Sequence, residues 1–359
     1  MTGFLKNPFS RLFALAALLC SVFAPLAELT ARLPAVEDAI PYRSLGNYDY
    51  QFEIKWFLLQ DYVKQNGGVD VILLGNSLVN TGLVPGRFEQ TYYENTGSKL
   101  RVFNFGVEGL TITPISHIAE ILVSTYHPAL LIYVTDMRDY VAKNGLATDA
   151  RFLSDPWIRY RNGDFNGFGW LVDHSVALQD YLPYRNWMSA AFFERMSVYT
   201  TRLKNTTLDG YEPDQDVGKG LDQPPNPDDP QDAVYFEILK DYQLAPSRLK
   251  DLQNILSLNS DGKTFILVVE MPVHPTFYDY AGGAEVHRKF QETLRYLVKS
   301  QEGTFIPAEI CSQIPLEGRS NRWHLNELGA PVFSSCLANR LAGLPGHEPD
   351  DFISHYGVH

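Results

Sequence analysis

A short apolar run that ends in a polar turn constrains the fold of this chain more than any other stretch. Residues 69–80 read VDVILLGNSLVN, so an almost unbroken run of valine, isoleucine and leucine leads into Gly75, Asn76 and Ser77. Such a run is typical of a parallel strand that is covered on both faces. Ligands of open α/β sheets bind at the carboxyl ends of such strands. The sequence therefore places Ser77 where a nucleophile could act.

Four more apolar segments alternate with segments of helical spacing. The predicted strands are residues 100–106, 129–135, 264–270 and 304–307, and the last of them precedes a polar turn and a final helix. Strands that alternate with helices at this spacing predict βαβ units and a parallel sheet. We therefore expect an α/β fold with a mainly parallel five-stranded sheet.

The alternation lapses once, between residues 142 and 243. This segment is rich in aromatic residues and contains a Pro/Asp-rich stretch at 209–232, which predicts an exposed loop. We interpret 142–243 as a long insertion that borders the ligand edge of the sheet. The predicted organisation is an N-terminal segment of residues 1–45 and a main domain of residues 46–359 that carries the insertion.

The N-terminal segment predicts export or a membrane anchor. Lys6 and Arg11 precede residues 12–27, which are uncharged and mostly apolar. Such a stretch suits a signal-peptide core or a short signal anchor. Positive charge before it predicts that the rest lies outside the cytoplasm. We expect a single-pass anchor with an extracytoplasmic domain; the alternative is a cleaved peptide and a secreted or periplasmic protein.

Charge and cysteine content narrow the range of functions. The formal net charge is −12, and no basic run is present, which argues against a nucleic-acid partner. Cys311 and Cys336 lie outside the apolar segment. An oxidising compartment would allow them to form a disulfide, and two small buried thiols are the alternative. Because no His, Cys, Asp or Glu grouping has metal-ligand spacing, we predict no metal and no cofactor.

Ser77 needs a base, and His324 is the candidate. A serine becomes nucleophilic when a base accepts its proton, another group orients that base and donors stabilise the oxyanion. His324 lies after the last predicted strand, and in a doubly wound sheet this turn can share an edge with Ser77. Taken singly, Ser77 is more often a turn residue and His324 a capping residue. His274, after the fourth strand, is a candidate for substrate contact or a structural loop residue.

Three motifs together resemble the SGNH (GDSL-like) hydrolase superfamily. They are GNSL at 75–78, the N-x-G of Asn104–Gly106 with Gly109, and WHLNELG at 323–329. The longer match LLGNSLVNTGLVP and the closing HLN-x-x-G look most similar to membrane-tethered relatives. These are the DltD-type proteins of D-alanyl transfer and the AlgJ/AlgX-type proteins of polysaccharide O-acetylation. The resemblance covers most of residues 69–140 and 262–342.

The resemblance implies a flavodoxin-like three-layer α/β/α fold and a role for each matching residue. Ser77 would be the acyl-accepting nucleophile, and His324 would be the general base and then the acid. The backbone N–H groups of Ser77 and Gly106 would form the oxyanion hole, with Asn104 in the same block. The implied activity is acyl transfer or ester hydrolysis on a cell-envelope glycan or polymer. A membrane-bound acyltransferase would be the partner that supplies the acyl group.

Two positions depart from that family. An acid is usual three residues before the histidine, but Asn321 stands there. An amide can hold an imidazole but cannot stabilise imidazolium as a carboxylate does, and in a serine protease the corresponding Asp→Asn change costs about 10⁴ in rate. Where an oxyanion-hole asparagine is expected, the chain has Thr135, Asp136, Arg138 and Asp139 instead. Loss of one oxyanion donor typically costs roughly 3 kcal/mol.

These departures define the alternatives at the site. We expect Asp136 to pair with Arg138 or to help orient His324, because a carboxylate beside an oxyanion would be repulsive. The alternative function, which both departures favour, is a non-catalytic binding or assembly factor of an envelope polysaccharide-modification machinery.

Overall fold

The computed structural model describes residues 8–37, 39–40, 42–185, 187–259 and 262–344. The chain divides into two compact units. The smaller unit is drawn from residues 1–48 and 155–198, and the larger unit from residues 49–154 and 199–359. The boundaries at 1–45, 46–359 and 142–243 remain predictions about how the chain is organised.

The larger unit contains a five-stranded, all-parallel sheet. Its strands are β1 (Val71–Gly75), β2 (Val102–Gly106), β3 (Leu130–Thr135), β4 (Phe265–Glu270) and β5 (Thr304–Ile306). They lie in the order β2-β1-β3-β4-β5, which is the flavodoxin-like order. The predicted parallel sheet is therefore confirmed.

Helices flank this sheet in a three-layer α/β/α arrangement. In chain order the helices are α1 (Pro8–Ala31), α2 (Pro34–Glu37), α3 (Tyr50–Asn66), α4 (Ser77–Gly82), α5 (Pro85–Thr96), α6 (Ile112–Tyr126), α7 (Leu146–Leu153), α8 (Pro156–Arg161), α9 (Gly167–His174), α10 (Val176–Tyr181), α11 (Ala190–Asn205), α12 (Pro230–Leu239), α13 (Pro246–Ser257), α14 (Ala284–Ser300) and α15 (Gly329–Ala342). Short 3-10 helices occupy Met137–Tyr140, Leu182–Tyr184, Pro275–Ala281, Ala308–Cys311 and Leu316–Gly318.

The core of the larger unit lies on both faces of the sheet. Every residue of β1, β2, β3 and β4 is buried, which explains why these strands read as continuous apolar runs. Helix α5 packs against α15, and α6 packs against α13. The helices that cover the sheet thus come from distant parts of the sequence.

Two glycines bring the first turn of α4 close to the strand ends. A Cβ atom on Gly75 would lie 2.5 Å from Val79 Cγ2, and one on Gly106 would lie 2.2 Å from the backbone nitrogen of Asn80. Any larger side chain at these positions would push α4 away from β1 and β2. Close backbone approach therefore determines where Ser77, the first residue of α4, is held.

The segment predicted as an exposed loop is irregular but partly buried. Residues 208–229 form no helix or strand. Tyr211 and Leu221 are each only 7% exposed, however. Glu212 also donates its backbone N–H to the carbonyl oxygen of Asn80 at 3.2 Å. The prediction of an exposed loop was wrong for these residues, because contacts with distant segments outweigh the polar composition of the stretch: the backbone of Glu212 binds Asn80, and the Arg322 guanidinium donates to the carbonyl oxygen of Leu221.

Cys311 and Cys336 form a disulfide, with their Cα atoms 5.7 Å apart. Of the two readings left open by the sequence, the disulfide is the one found. It links the 3-10 helix after β5 to α15.

The N-terminal helix of the smaller unit is long and apolar enough to cross a membrane. Within Phe9–Ala31, an 18-residue window has a mean hydropathy of 2.1, and none of that window is buried against the protein. Lys6, the first of the two cations noted in the sequence, lies outside the described residues. An N-terminal membrane-spanning or signal-anchor helix agrees with the prediction.

Candidate active site

The turn after β1 presents Ser77 at the start of α4. Asn76 is the N-cap of this helix, and its side-chain oxygen accepts the backbone N–H of Leu78 at 2.9 Å. Ser77 is 8% exposed. The backbone N–H groups in the first turn of a helix have no intrahelical acceptor. The N–H of Ser77, the first residue of α4, is therefore left without an intrahelical acceptor.

His324 lies within hydrogen-bond distance of Ser77. The distance between His324 Nε2 and Ser77 Oγ is 2.9 Å, although the two residues are 247 positions apart. His324 is held in a tight turn in which its carbonyl oxygen accepts the backbone N–H of Ser320 at 3.2 Å. The parallel sheet thus brings together the serine and the histidine selected from the sequence.

Asn321 contacts the far side of the His324 ring. Its Oδ1 accepts the backbone N–H groups of Trp323 and His324, each at 2.8 Å. Its Nδ2 lies 3.0 Å from His324 Nδ1. Because the two backbone donors require an oxygen, the amide nitrogen faces the ring. Nδ1 is then the acceptor, and the ring proton resides on Nε2, the nitrogen that faces Ser77.

This tautomer is opposite to the one a general base needs. An Nε2–H group donates to Ser77 Oγ and cannot accept its proton. The other tautomer is accessible through Asn321 Oδ1, which lies 3.3 Å from Nδ1 but already accepts two hydrogen bonds. That tautomer would also make two donors face each other, the Nδ1–H group of His324 and the amide N–H of Asn321. The geometry therefore favours the unproductive tautomer.

The surroundings of His324 also disfavour the imidazolium. Burial, with a contribution from the positive charge of Arg138, lowers the pKa of His324 to about 3. The Arg138 guanidinium stacks on the Trp323 ring, 3.5 Å from its centroid. That ring lies against His324 with a centroid separation of 4.4 Å. His324 is therefore a neutral, weakly basic imidazole near neutral pH.

Asp136, expected to pair with Arg138 or to help orient His324, contacts the backbone of Arg138 and the ring of Trp323. It is buried, and its carboxylate accepts the backbone N–H groups of Arg138 and Asp139 and the indole N–H of Trp323. Burial and the neighbouring carboxylate of Asp139 raise the pKa of Asp136 to about 8. The carboxyl group caps the 3-10 helix Met137–Tyr140. Among its hydrogen bonds in the described part of the chain, the one to Trp323 is its link to the surroundings of His324.

No role was predicted for Asn76 or Asp139, yet they link the Ser77 turn to β3. Asn76 Nδ2 donates to Asp139 at 3.0 Å, and Asp139 also accepts hydrogen bonds from the hydroxyls of Thr135 and Tyr133. Burial raises the pKa of Asp139. The position of Asn76 immediately before a helical serine was a capping signal in the sequence. Nothing local marks Asp139, which lies 63 positions away.

Asn104 and Gly106 form a structural bracket beneath α4. Asn104 Nδ2 donates to the carbonyl oxygens of Val79 and Leu83, each at 2.7 Å. Asn104 Oδ1 accepts the backbone N–H of Gly106 at 2.9 Å. In this arrangement the Gly106 N–H is engaged by a side chain, so the geometry gives no support to its predicted role as an oxyanion donor.

His274 caps the 3-10 helix that follows β4. Its Nδ1 lies 2.8 Å from Thr276 Oγ1, and its backbone N–H donates to the Arg322 carbonyl oxygen. Burial, and then the positive charges of Arg319 and Arg322, lower the pKa of His274 to about 4. Of the two roles considered, these contacts favour the structural one. Among the described residues, no group of three His, Cys, Asp or Glu side chains is arranged to hold a metal ion.

A polar cavity of about 210 Å³ lies beside Asn321. Its charged lining residues are two cations and two carboxylates: Lys219, Arg322, Asp229 and Asp232. Ser320 Oγ, which also lines it, is buried and has no hydrogen-bond partner among the described residues. The ring of Tyr235 lines the cavity and contacts Trp323 edge-on at 5.9 Å. The cavity is thus contiguous with the groups around His324.

Comparisons with known proteins do not assign a family. No family model and no curated protein matches the chain. Eleven chains of solved structures match, including one described as BT4096, a gut microbial diltiazem-metabolizing enzyme. That match has 15% sequence identity and a TM-score of 0.36, and it covers 76% of this chain but only 46% of the other. A similarity of this size carries no argument about activity.

Proposed function

We propose that the protein forms an acyl-enzyme at Ser77, with His324 as the base, and acts on acyl groups of a cell-envelope glycan or polymer. The observation that carries this proposal is the 2.9 Å distance between Ser77 Oγ and His324 Nε2. The pair lies at the carboxyl edge of a parallel sheet, where open α/β folds bind their ligands.

In the proposed reaction, the His324 tautomer with a free Nε2 accepts the Ser77 proton as Oγ attacks the acyl carbonyl. The backbone N–H of Ser77 donates to the resulting oxyanion. Collapse of the tetrahedral intermediate expels the leaving alcohol, which takes the proton from Nε2 and leaves an acyl-serine. A hydroxyl of a sugar or polyol then attacks this ester, with His324 again as base, and yields a new ester. Attack by water would give the free acid instead.

The contacts of Asn321 predict a slow enzyme. The amide nitrogen at 3.0 Å from Nδ1 favours the wrong tautomer, and the depressed pKa makes His324 a weak base. A transferase that receives its acyl group from a membrane-bound partner can tolerate slow resolution of the acyl-enzyme by water. Because His324 is the base for both acceptors, its weak basicity slows attack by water and attack by a sugar hydroxyl alike.

The cavity beside Asn321 supports a neutral, hydroxyl-rich acceptor. Its two cations and two carboxylates give no net charge, and its amide and hydroxyl groups include both donors and acceptors. Such a lining suits a sugar or polyol group better than an ionic one.

Two features support an extracytoplasmic, membrane-tethered location. Helix α1 is long and apolar enough to span a bilayer. The Cys311–Cys336 disulfide is of a kind that persists in oxidising compartments. Tethering would keep Ser77 near a membrane-bound acyltransferase, which we propose as the acyl donor.

The direct test is intact-mass analysis after treatment with a fluorophosphonate probe. We expect one adduct on the wild type, none on Ser77→Ala, and strongly slowed labelling of His324→Ala. The exposed residue Ser300 provides a matched control, and Ser300→Ala should label like the wild type. Labelling that persists in Ser77→Ala would exclude this nucleophile.

A non-catalytic binding or assembly factor is the second candidate function, and the tautomer set by Asn321 favours it. Its signature would be a folded wild-type protein that resists the probe yet binds an envelope glycan. Glycan binding that is lost in Gln223→Ala, a variant of the cavity lining, would support this candidate.

A further inference from the structure

The smaller unit exposes an apolar helix face close to the end of α1. Helix α9 buries Gly169 and Val172 and leaves Phe168, Trp170 and Leu171 between 42% and 48% exposed. A helix on the surface of a water-soluble protein normally turns polar residues outward. Exposed apolar groups concentrated in one segment mark a contact surface.

Close packing fixes the orientation of α9. A Cβ atom on Gly169 would lie 2.1 Å from the carbonyl oxygen of Pro156, so α9 rests directly on α8. The indole N–H of Trp157, on α8, also donates to Asp173 near the end of α9 at 2.9 Å. The apolar face is therefore held outward and cannot turn into the unit without breaking these contacts.

The end of α1 is joined to the α9–α10 turn by hydrogen bonds. The carboxylate of Glu28 accepts the hydroxyl of Ser175 at 2.9 Å and the backbone N–H groups of Val176 and Ala177 at 3.1 and 3.2 Å. Arg32, one residue after α1, donates to the carbonyl oxygen of His174 at 3.5 Å. Helix α9 is thus positioned by the last turn of the helix that can span a membrane.

The dimensions place α9 at the bilayer surface if α1 spans the bilayer. The 23 residues of Phe9–Ala31 extend about 34 Å at 1.5 Å per residue, compared with a hydrocarbon core of about 30 Å. The end of α1 would then emerge into the headgroup region. Tryptophan and tyrosine are enriched at this level of membrane proteins, because their rings are apolar and their polar groups remain hydrated.

We propose that the apolar face of α9 lies in the interfacial region of the bilayer that α1 enters. The smaller unit would then contact the bilayer surface through α9 as well as being attached to the bilayer through α1. Three further large apolar side chains of the same unit are exposed: Phe165, Trp187 and Met188 are 77%, 62% and 81% exposed. This inference is independent of the chemistry proposed for Ser77.

Tryptophan quenching by brominated lipid tests this placement in the full-length protein. The probe is a phosphatidylcholine vesicle with bromine on the upper acyl chain. The other three tryptophans, Trp56, Trp157 and Trp323, are at most 3% exposed, so quenching reports mainly on Trp170 and Trp187. We expect brominated vesicles to reduce the wild-type emission, and Trp170→Phe to remove much of that reduction.

A matched control comes from the double variant Trp170→Phe/Trp187→Phe, which keeps only the three buried tryptophans. We expect brominated vesicles to leave its emission nearly unchanged. Co-flotation with the vesicles reports insertion of α1 separately. Flotation with lipid quenching that Trp170→Phe leaves unchanged would overturn the proposal. Failure to float would overturn it together with the anchor.

Discussion

Among single residues, Asn321 has the largest expected influence on the chemistry of Ser77. Its Oδ1 accepts two backbone N–H groups, and its Nδ2 faces His324 Nδ1. In Asn321→Asp, one carboxylate oxygen can retain the backbone contacts while the other accepts a hydrogen bond from the Nδ1–H group of His324. This substitution would select the productive tautomer and stabilise the imidazolium. We expect the rate of probe labelling at Ser77 to rise, by up to about 10⁴-fold.

The matched control is Asn254→Asp, which adds the same charge at an exposed position on α13. It should leave the labelling rate unchanged. The tautomer can be read independently from the ¹⁵N shifts of His324, which should show Nε2–H in the wild type and Nδ1–H in Asn321→Asp. A wild type that already shows Nδ1–H would contradict the orientation assigned to the amide.

The pKa of His324 gives a pH prediction at the same scale. Because burial and Arg138 lower this pKa to about 3, the imidazole is neutral throughout pH 5–8. We expect the wild-type labelling rate to show no acidic limb near pH 6.5, where an unperturbed histidine titrates. In Asn321→Asp the new carboxylate should raise the pKa, so an acidic limb should move into the measured range. A wild-type rate that falls steeply below pH 6.5 would contradict this prediction.

At the scale of elements, the position of Ser77 depends on how α4 is fastened to β2. Asn104→Leu would leave the carbonyl oxygens of Val79 and Leu83 and the N–H of Gly106 without their buried partner. We expect a loss of about 3 kcal/mol in the free energy of unfolding, measured by urea denaturation. Probe labelling should also slow, because α4 carries Ser77.

Asn95 provides the comparison for this substitution. Its side chain also donates to a carbonyl oxygen, that of Thr91 at 2.7 Å, but it is exposed, so water can replace the bond. Asn95→Leu should therefore cost less than about 1 kcal/mol. Equal losses of unfolding free energy in the two variants would indicate that the hydrogen bonds of Asn104 contribute little to stability.

The elements differ in how well local sequence predicts them. The five strands were predicted within two residues at each end, because a strand covered on both faces must be apolar throughout its length. Helix α4 was not predicted: its six residues are too few to show a periodic pattern, and tertiary contacts stabilise it. The loop residues Tyr211 and Leu221 were missed for a similar reason, since their burial depends on distant partners.

At the scale of the whole molecule, the disulfide holds α15 to the segment after β5. Its cysteines are 25 positions apart, and a loop of this size corresponds to about 3 kcal/mol of stabilisation. We expect the double variant Cys311→Ala/Cys336→Ala to lose about that free energy of unfolding, and the wild type to lose a similar amount on reduction. The double variant should be insensitive to reductant. A reductant effect of equal size in both proteins would exclude the disulfide as its cause.

The sequence by itself determined the parallel sheet, the apolar N-terminal helix and the pair of residues, Ser77 and His324, that meet at the sheet edge. These depend on apolar periodicity and on short motifs, both of which are local. Only the tertiary structure decided the hydrogen-bond partners at the site. Asn321 turns its amide nitrogen toward His324 Nδ1, and Asp136 binds Trp323 rather than His324. Asn104 accepts the hydrogen bond of the Gly106 N–H. A hydrogen bond depends on the direction of its donor and acceptor as well as on their proximity. Those directions are set by side chains that come together only when distant segments pack.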